Sequence, residues 1–308
     1  MSTGAAGYTP HPRLQSSWDL RAASNFIGGG VGTGLVLTAT VVAAFGGLWM
    51  PGLLLGLACV AFGLSMVFLE LGRPWRAVNV FFHPRTSWMT REGVLSLPLF
   101  AAGAGAVAVA WFYGTVAAAP LLALAGLCAA GFLYCQAHIL HRARGIPAWS
   151  ESTLRWVMVA TGLTEGVGVF LAITAFAQSA PRALALEVAL AVLLAARAGL
   201  WLGYARRLRA RGAPTRSMRA IDALGARFLW FGHALPAVLL VAGWLVWPFA
   251  VELVTAAGLV AAAAGWYAKL MIITRAAASR GFAIPQTPTR GRSASRAGAR
   301  PGWGGGAS

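Results

Sequence analysis

Of the 308 residues, 58% are apolar and only 11% charged, and mean hydropathy is +0.68. A soluble domain of this length needs far more polar surface, so the composition excludes that class and points to a polytopic membrane protein. The formal charge of +17 sits on arginines in short segments between apolar spans. That is the pattern of membrane orientation, and it argues against a nucleic-acid partner.

In chain order, residues 1–21 read as a polar cytoplasmic tail without the basic and apolar regions of a cleavable signal peptide. Eight apolar spans follow, at 22–46, 51–71, 93–117, 120–140, 156–178, 183–204, 228–248 and 251–273. Each is close to the roughly twenty residues that cross a bilayer. Very short connections at 47–50, before Pro120 and at Trp247–Pro248 make the spans they join antiparallel. The expected fold is therefore an all-α, eight-transmembrane-helix bundle over 22–275. A Pro-, Gly-, Ser- and Arg-rich tail at 276–308 is expected to be disordered. The run Gly28–Gly34 lies inside a span with no strand before it, so it reads as close helix packing and not as a nucleotide loop. Cys59, Cys128 and Cys135 all fall inside spans without a CxxC pair, so no metal site of the usual thiolate kind is expected.

The arginines and lysine set the orientation. Of these 25 residues, 21 lie in the N-terminal tail, 72–92, 142–155, 205–219 and 275–308, whereas the opposite side has only Arg182. By the positive-inside rule, both termini and the long loops face the cytoplasm.

Charges inside spans are costly and mark candidate functional positions. Glu70, His138, Glu165, Arg197 and Lys269 all stand within a few turns of the arginine-rich ends, which predicts a polar pocket opening to that side. Glu165 and Arg197 fall at similar depth on consecutive spans, as a structural ion pair or a proton path. The same two residues would form the mid-membrane site of a secondary transporter, an alternative that normally brings broken helices and repeats. A haem-b cytochrome is a third reading, with His138 and His233 as the available ligands.

The densest polar stretch runs from Glu70 to Glu92, ELGRPWRAVNVFFHPRTSWMTRE. A quinone head group needs hydrogen-bonding groups at its two oxygens, a titratable group and an apolar slot. Glu70 and Glu92 flank the connection, Arg76 can orient either, Asn79 and Ser87 add neutral hydrogen bonds, and Trp88 suits a wall of the slot. Helix capping and interfacial anchoring are the ordinary alternatives for these residue types.

The segment ELGRPWRAVN followed by SWMTRE resembles the loop between the second and third helices of the DmsC-type anchors of dimethyl sulfoxide reductases. It resembles the NrfD and polysulfide-reductase anchors more loosely. Leu71, Gly72, Pro74, Arg76, Ala77, Asn79, Ser87 and Glu92 carry the likeness in order and spacing. The resemblance implies a non-catalytic anchor subunit in a bacterial inner membrane, with a menaquinone or ubiquinone site and no metal or haem of its own. It further implies a ferredoxin-like iron–sulfur subunit and a molybdopterin catalytic subunit as partners. Glu92 and Arg76 match family residues implicated in the quinone site, and Glu70 stands where the dimethyl sulfoxide reductase anchor has histidine. In that family the catalytic partner lies outside the cytoplasm, whereas the motif here is on the arginine-rich side. The segment HPRLQSSWDLRAASNFIGGG is similar to anchors of cytoplasmic, phenylacetyl-CoA:acceptor oxidoreductase-like complexes. The partner is accordingly expected to dock from the cytoplasm on Arg73, Arg85, Arg91, Arg142 and Arg144.

Overall fold

A computed structural model describes residues 12–70, 74–177 and 184–280, with the side chains of 74–77 outside that description. Every regular element among the described residues is helical, and eight helices are long and apolar enough to cross a membrane. They are α1 (Leu20–Ala44), α2 (Met50–Glu70), α3 (Trp88–Tyr113), α4 (Thr115–Arg142), α5 (Ser152–Phe176), α6 (Leu184–Ala210), α7 (Thr215–Leu245) and α8 (Ala250–Thr274). Local chemistry marks their starts. The side chains of Asp19, Ser87 and Glu151 accept hydrogen bonds from backbone amides in the first turns of α1, α3 and α5.

Several boundaries differ from the expected ones. The α3–α4 turn falls at Gly114, not before Pro120, because Gly114 adopts φ +84° and reverses the chain on its own. Pro120 lies in the second turn of α4, a position that membrane helices tolerate. Residues 205–219 are not a long loop. The α6 helix continues to Ala210 and α7 begins at Thr215, leaving four connecting residues around Gly212 at φ +63°.

The most buried spans, α1 and α5, cross at the centre of the bundle. Their contact needs glycine, since a Cβ on Gly166 would fall on the Gly34 backbone and one on Gly34 would meet the Gly162 carbonyl. Around this crossing, one apolar core joins α1–α4 through Leu35, Leu53, Leu99 and Phe132, with Phe170 from α5. Another joins α5–α8 through Leu190, Leu240 and Ala261.

A third core lies at the arginine-rich end, where Trp149, Tyr204, Leu208, Ile221, Leu224 and Ile272 are buried together. Both expected tails contribute to it. Gln15 donates from its backbone to Ala277 at 2.9 Å, and Ser279 donates to Arg13 at 2.8 Å. Trp18 packs on Trp149 with ring centroids 4.9 Å apart. The boundaries expected at 21 and 276 therefore move, since Ala276, Ala277 and Ala278 are buried. The remainder of both tails, residues 1–11 and 281–308, lies outside the described residues.

Exposed aromatic side chains form two girdles. Tyr134, Trp156, Trp230, Trp266 and Tyr267 stand near the arginine-rich end, and Trp111, Phe112, Tyr113, Phe176, Trp247 and Phe249 near the other. Phe249 and Trp266 are roughly 25 Å apart along α8 at ~1.5 Å rise per residue, close to the thickness of a hydrocarbon core. The chain is a multi-pass membrane protein by length, composition and this banding.

Candidate functional site

The connection between α2 and α3 folds back over the start of α3. A 3-10 helix at Pro74–Phe81 opens it, and Arg91 closes it by donating from Nε to the Pro84 carbonyl at 2.7 Å and from a terminal nitrogen to the Arg85 carbonyl at 2.8 Å. Val80 comes down on Gly93, where a Cβ would sit 3.0 Å from its methyl carbon. At the end of α2, Arg21 donates to the Leu69 carbonyl at 3.0 Å and ties that helix to α1. Because α2 and α3 touch each other little, these ties leave a gap between them.

The gap is a cavity of about 250 Å³. Glu70 and Glu92 both line it, with Asn25 and Ser96 as further polar groups. Trp18 and Phe26 form part of its apolar wall, and the exposed Phe68, Phe81 and Met89 stand at its mouth. Glu92 lies in the second turn of α3 and is 3% exposed. The Gln136 amide donates to Glu92 Oε1 at 3.3 Å and to the Asn25 backbone carbonyl at 2.9 Å, joining α1, α3 and α4 in one polar contact. Asn25 Oδ1 is buried without a hydrogen-bond partner. An orphaned acceptor in an apolar site costs free energy unless a ligand or water satisfies it.

The cavity brings together only part of the expected set. Ser87 is spent on capping α3, accepting from the Thr90 amide at 3.2 Å. Trp88 faces away, stacked on His138 at 4.4 Å between ring centroids, with the Arg91 guanidinium 4.3 Å from its ring centre. Asn79 is exposed and does not line the cavity. None of these three lines the cavity; at the start of α3, helical geometry sends neighbouring side chains to different faces. The Arg76 side chain and all of Arg73 lie outside the described residues. Of the expected docking residues, Arg85, Arg142 and Arg144 are exposed, whereas Arg91 is engaged in closing the connection. Sequence reasoning missed Asn25 and Gln136. Their signal was available, a lone amide within each of two apolar spans.

The Glu165–Arg197 pair is not formed. Glu165 pairs with Lys269 at 2.6 Å, and both are buried. Two glycines open the space, since a Cβ on Gly30 would meet the Lys269 ammonium and one on Gly265 would sit 2.6 Å from Glu165 Oε1. Arg197 instead ties α7 to α8, donating to the Gly232 carbonyl at 2.5 Å and His233 Nε2 at 3.2 Å on α7 and to the Ala261 carbonyl at 3.3 Å on α8. There α7 is interrupted by a π-helical turn at Trp230–Ala234, a break that the apolar pattern did not reveal. Pro236, four residues beyond Gly232, has no N–H to offer that carbonyl, and the guanidinium fills the place, so the buried arginine has a structural reason to be there.

Neither expected haem ligand has an uncommitted ring nitrogen. His233 holds Arg197 at Nε2 and the Phe228 carbonyl at Nδ1, 2.9 Å away. His138 holds Arg155 at Nε2 and the Tyr134 carbonyl at Nδ1, both at 3.0 Å. Ligation at either would first break one of these bonds.

Compared with known proteins, the chain matches no family model and no curated sequence. The cavity and its residues are the ground for a functional reading.

Proposed function

We propose that this chain is the membrane anchor and quinone-reactive subunit of a multi-subunit iron–sulfur molybdoenzyme. It passes electrons between a cytoplasmic iron–sulfur subunit and a menaquinone or ubiquinone pool. The observation that carries the reading is the cavity in which Glu70 and Glu92, at the two ends of the connection, line one apolar slot with exposed Phe68, Phe81 and Met89 at its mouth. The resemblance of that connection to the DmsC-type loop supports it independently. The arginine-rich ends orient both termini toward the cytoplasm, where the partner docks.

The residues present fit the group. A quinol offers two hydroxyl donors and a quinone two carbonyl acceptors. Asn25 Oδ1 is an unfilled acceptor, and the Glu92 carboxyl can act in either sense. When bound, the quinone supplies two-electron, two-proton chemistry. Gln136 holds the Glu92 carboxyl in place from α4, and Glu92 takes or returns the proton. Glu70, partly exposed at the rim, relays it to the aqueous side. Phe68, Phe81 and Met89 let an isoprenoid tail leave sideways into lipid while the walls exclude water.

The test is saturable binding of a short-chain naphthoquinone or benzoquinone to the purified chain, followed by calorimetry. Glu92→Gln is expected to weaken binding about tenfold, the effect of one hydrogen bond to a charged group. Asn79→Ala, outside the cavity, is expected to change nothing. No saturable binding by the wild-type chain, or full affinity in Glu92→Gln, would overturn the reading.

A further inference from the structure

The α6–α7 hairpin extends well beyond the girdle residue Trp230. From Trp230, α7 runs to Thr215 over about 22 Å at ~1.5 Å per residue. The interfacial layer outside a hydrocarbon core is only ~5–8 Å deep on each side. On the other helix, Gly203 lies beside Thr153 at the start of α5, and α6 continues about 10 Å beyond it to Ala210, so the hairpin tip projects past the neighbouring helix end. Among the described residues, no large apolar side chain is exposed between Leu202 and Trp230, in keeping with an aqueous setting.

This projection is built to be rigid. Leu208, Ile221 and Leu224 are buried between the two helices and their neighbours. The turn is closed by bonds from Gly212 to the Arg209 carbonyl at 3.0 Å and from Ala213 to the Leu208 carbonyl at 3.3 Å, with Gly212 in the left-handed conformation. Glu151 pins the tip to α5 through Arg211 at 2.7 Å. On its other side, Ser217 accepts from the Ala278 amide at 3.4 Å.

What the platform displays is positive charge. Residues 205–219 hold six arginines and no acidic residue. Arg209 is matched by Asp222 and Arg211 by Glu151. Arg206, Arg207, Arg216 and Arg219 are exposed with no carboxylate partner among the described residues.

We infer that this hairpin is the docking surface for a soluble protein with a carboxylate-rich face. A rigid, pinned platform with fixed guanidinium positions favours a shaped protein face over a fluid lipid headgroup, and like charge rules against a second copy of the hairpin. Crossing the membrane needs only a short turn here. Two extra helical stretches with their own buried core place four unmatched guanidinium groups where only a partner in water can meet them. The inference rests on the proposed function only in naming that partner the iron–sulfur subunit; the docking itself does not depend on quinone chemistry.

Photo-crosslinking amino acids placed at Arg207 and Arg219 in native membranes test it, with a control at Phe112 on the opposite end. A single protein adduct is expected from the two hairpin sites and none from Phe112. Its crosslinked peptides should map to an acidic face, and its yield should fall at least tenfold with Arg216→Glu plus Arg206→Glu. Arg216→Lys plus Arg206→Lys should retain it, which separates lost charge from lost folding. Adducts to lipid alone, to nucleic acid or to another copy of this chain would overturn the inference. So would an absent adduct from normally inserted protein, or a yield that survives charge reversal. Because the adduct is read without quinone, a failure of naphthoquinone binding leaves this result interpretable on its own.

Discussion

Glu165 and Lys269 neutralise one another at 2.6 Å inside the bundle, where either charge alone would be costly. Removing one partner from such a pair typically costs about 3–5 kcal/mol, since the other charge is left buried. Lys269→Met is therefore expected to lower the thermal midpoint of the purified chain sharply, and Glu165→Leu added to Lys269→Met to recover most of the loss. An unchanged midpoint in Lys269→Met would mean that Glu165 does not rely on its partner. Gln136 is the other residue whose role the structure defines, through its bonds to Glu92 and to the Asn25 carbonyl. Gln136→Leu is expected to weaken naphthoquinone binding by a factor of about ten while the chain still inserts, because one hydrogen bond to a carboxylate is worth ~1.5–3 kcal/mol. Unchanged affinity would remove Gln136 from the site. Glu165 was legible as a costly buried acid, but its partner was not. Arg197 and Lys269 both lie at a suitable depth, and only the rotation of each helix decides which one faces it.

Among the helices, α1 and α5 depend most on small residues. A methyl on Gly166 would collide with the Gly34 backbone, which has no flexible end to move aside. Gly166→Ala is expected to destabilise the bundle by about 1–3 kcal/mol through overpacking. Gly199 on α6 is exposed with nothing within 4 Å of an added Cβ. Gly199→Ala should be neutral or stabilise by up to ~1 kcal/mol through helix propensity. Thermal unfolding of the two variants side by side checks both expectations, and equal midpoints would show that the crossing can relax. The glycine run Gly28–Gly34 pointed to close packing from the sequence, though not to its partners. Those come from α2 for Gly28 and Gly32 and from α5 for Gly34, on different faces of one helix. The π-helical turn in α7 was invisible in the pattern, because apolar residues continue through it and its stabilising donor, Arg197, belongs to another helix.

For the molecule as a whole, the orientation is a proposal with a direct check. Single cysteines placed at Arg144 and at Tyr113 lie at opposite ends of the bundle, and both positions are exposed. A membrane-impermeant maleimide is expected to label the Arg144 site only in inside-out vesicles and the Tyr113 site only in right-side-out ones. The native Cys59, Cys128 and Cys135 are replaced beforehand so that each label reports one site. The reverse pattern would place the arginine-rich end, its cavity and the α6–α7 hairpin outside the cytoplasm.

The sequence by itself determined eight spans long and apolar enough to cross a membrane, which end carries the charge, and that the Glu70–Glu92 connection is its chemically richest stretch. Those conclusions follow from hydropathy and charge counted along the chain, quantities that need no knowledge of neighbours. Only the tertiary structure decided which polar residues meet. It brought Asn25 into the cavity from α1 and Gln136 against Glu92 from α4, turned Ser87 and Trp88 away from the cavity, and exchanged Arg197 for Lys269 beside Glu165. Nearly uniform apolar spans give little periodic signal to orient a helix about its axis, and that rotation decides which side chains form the site.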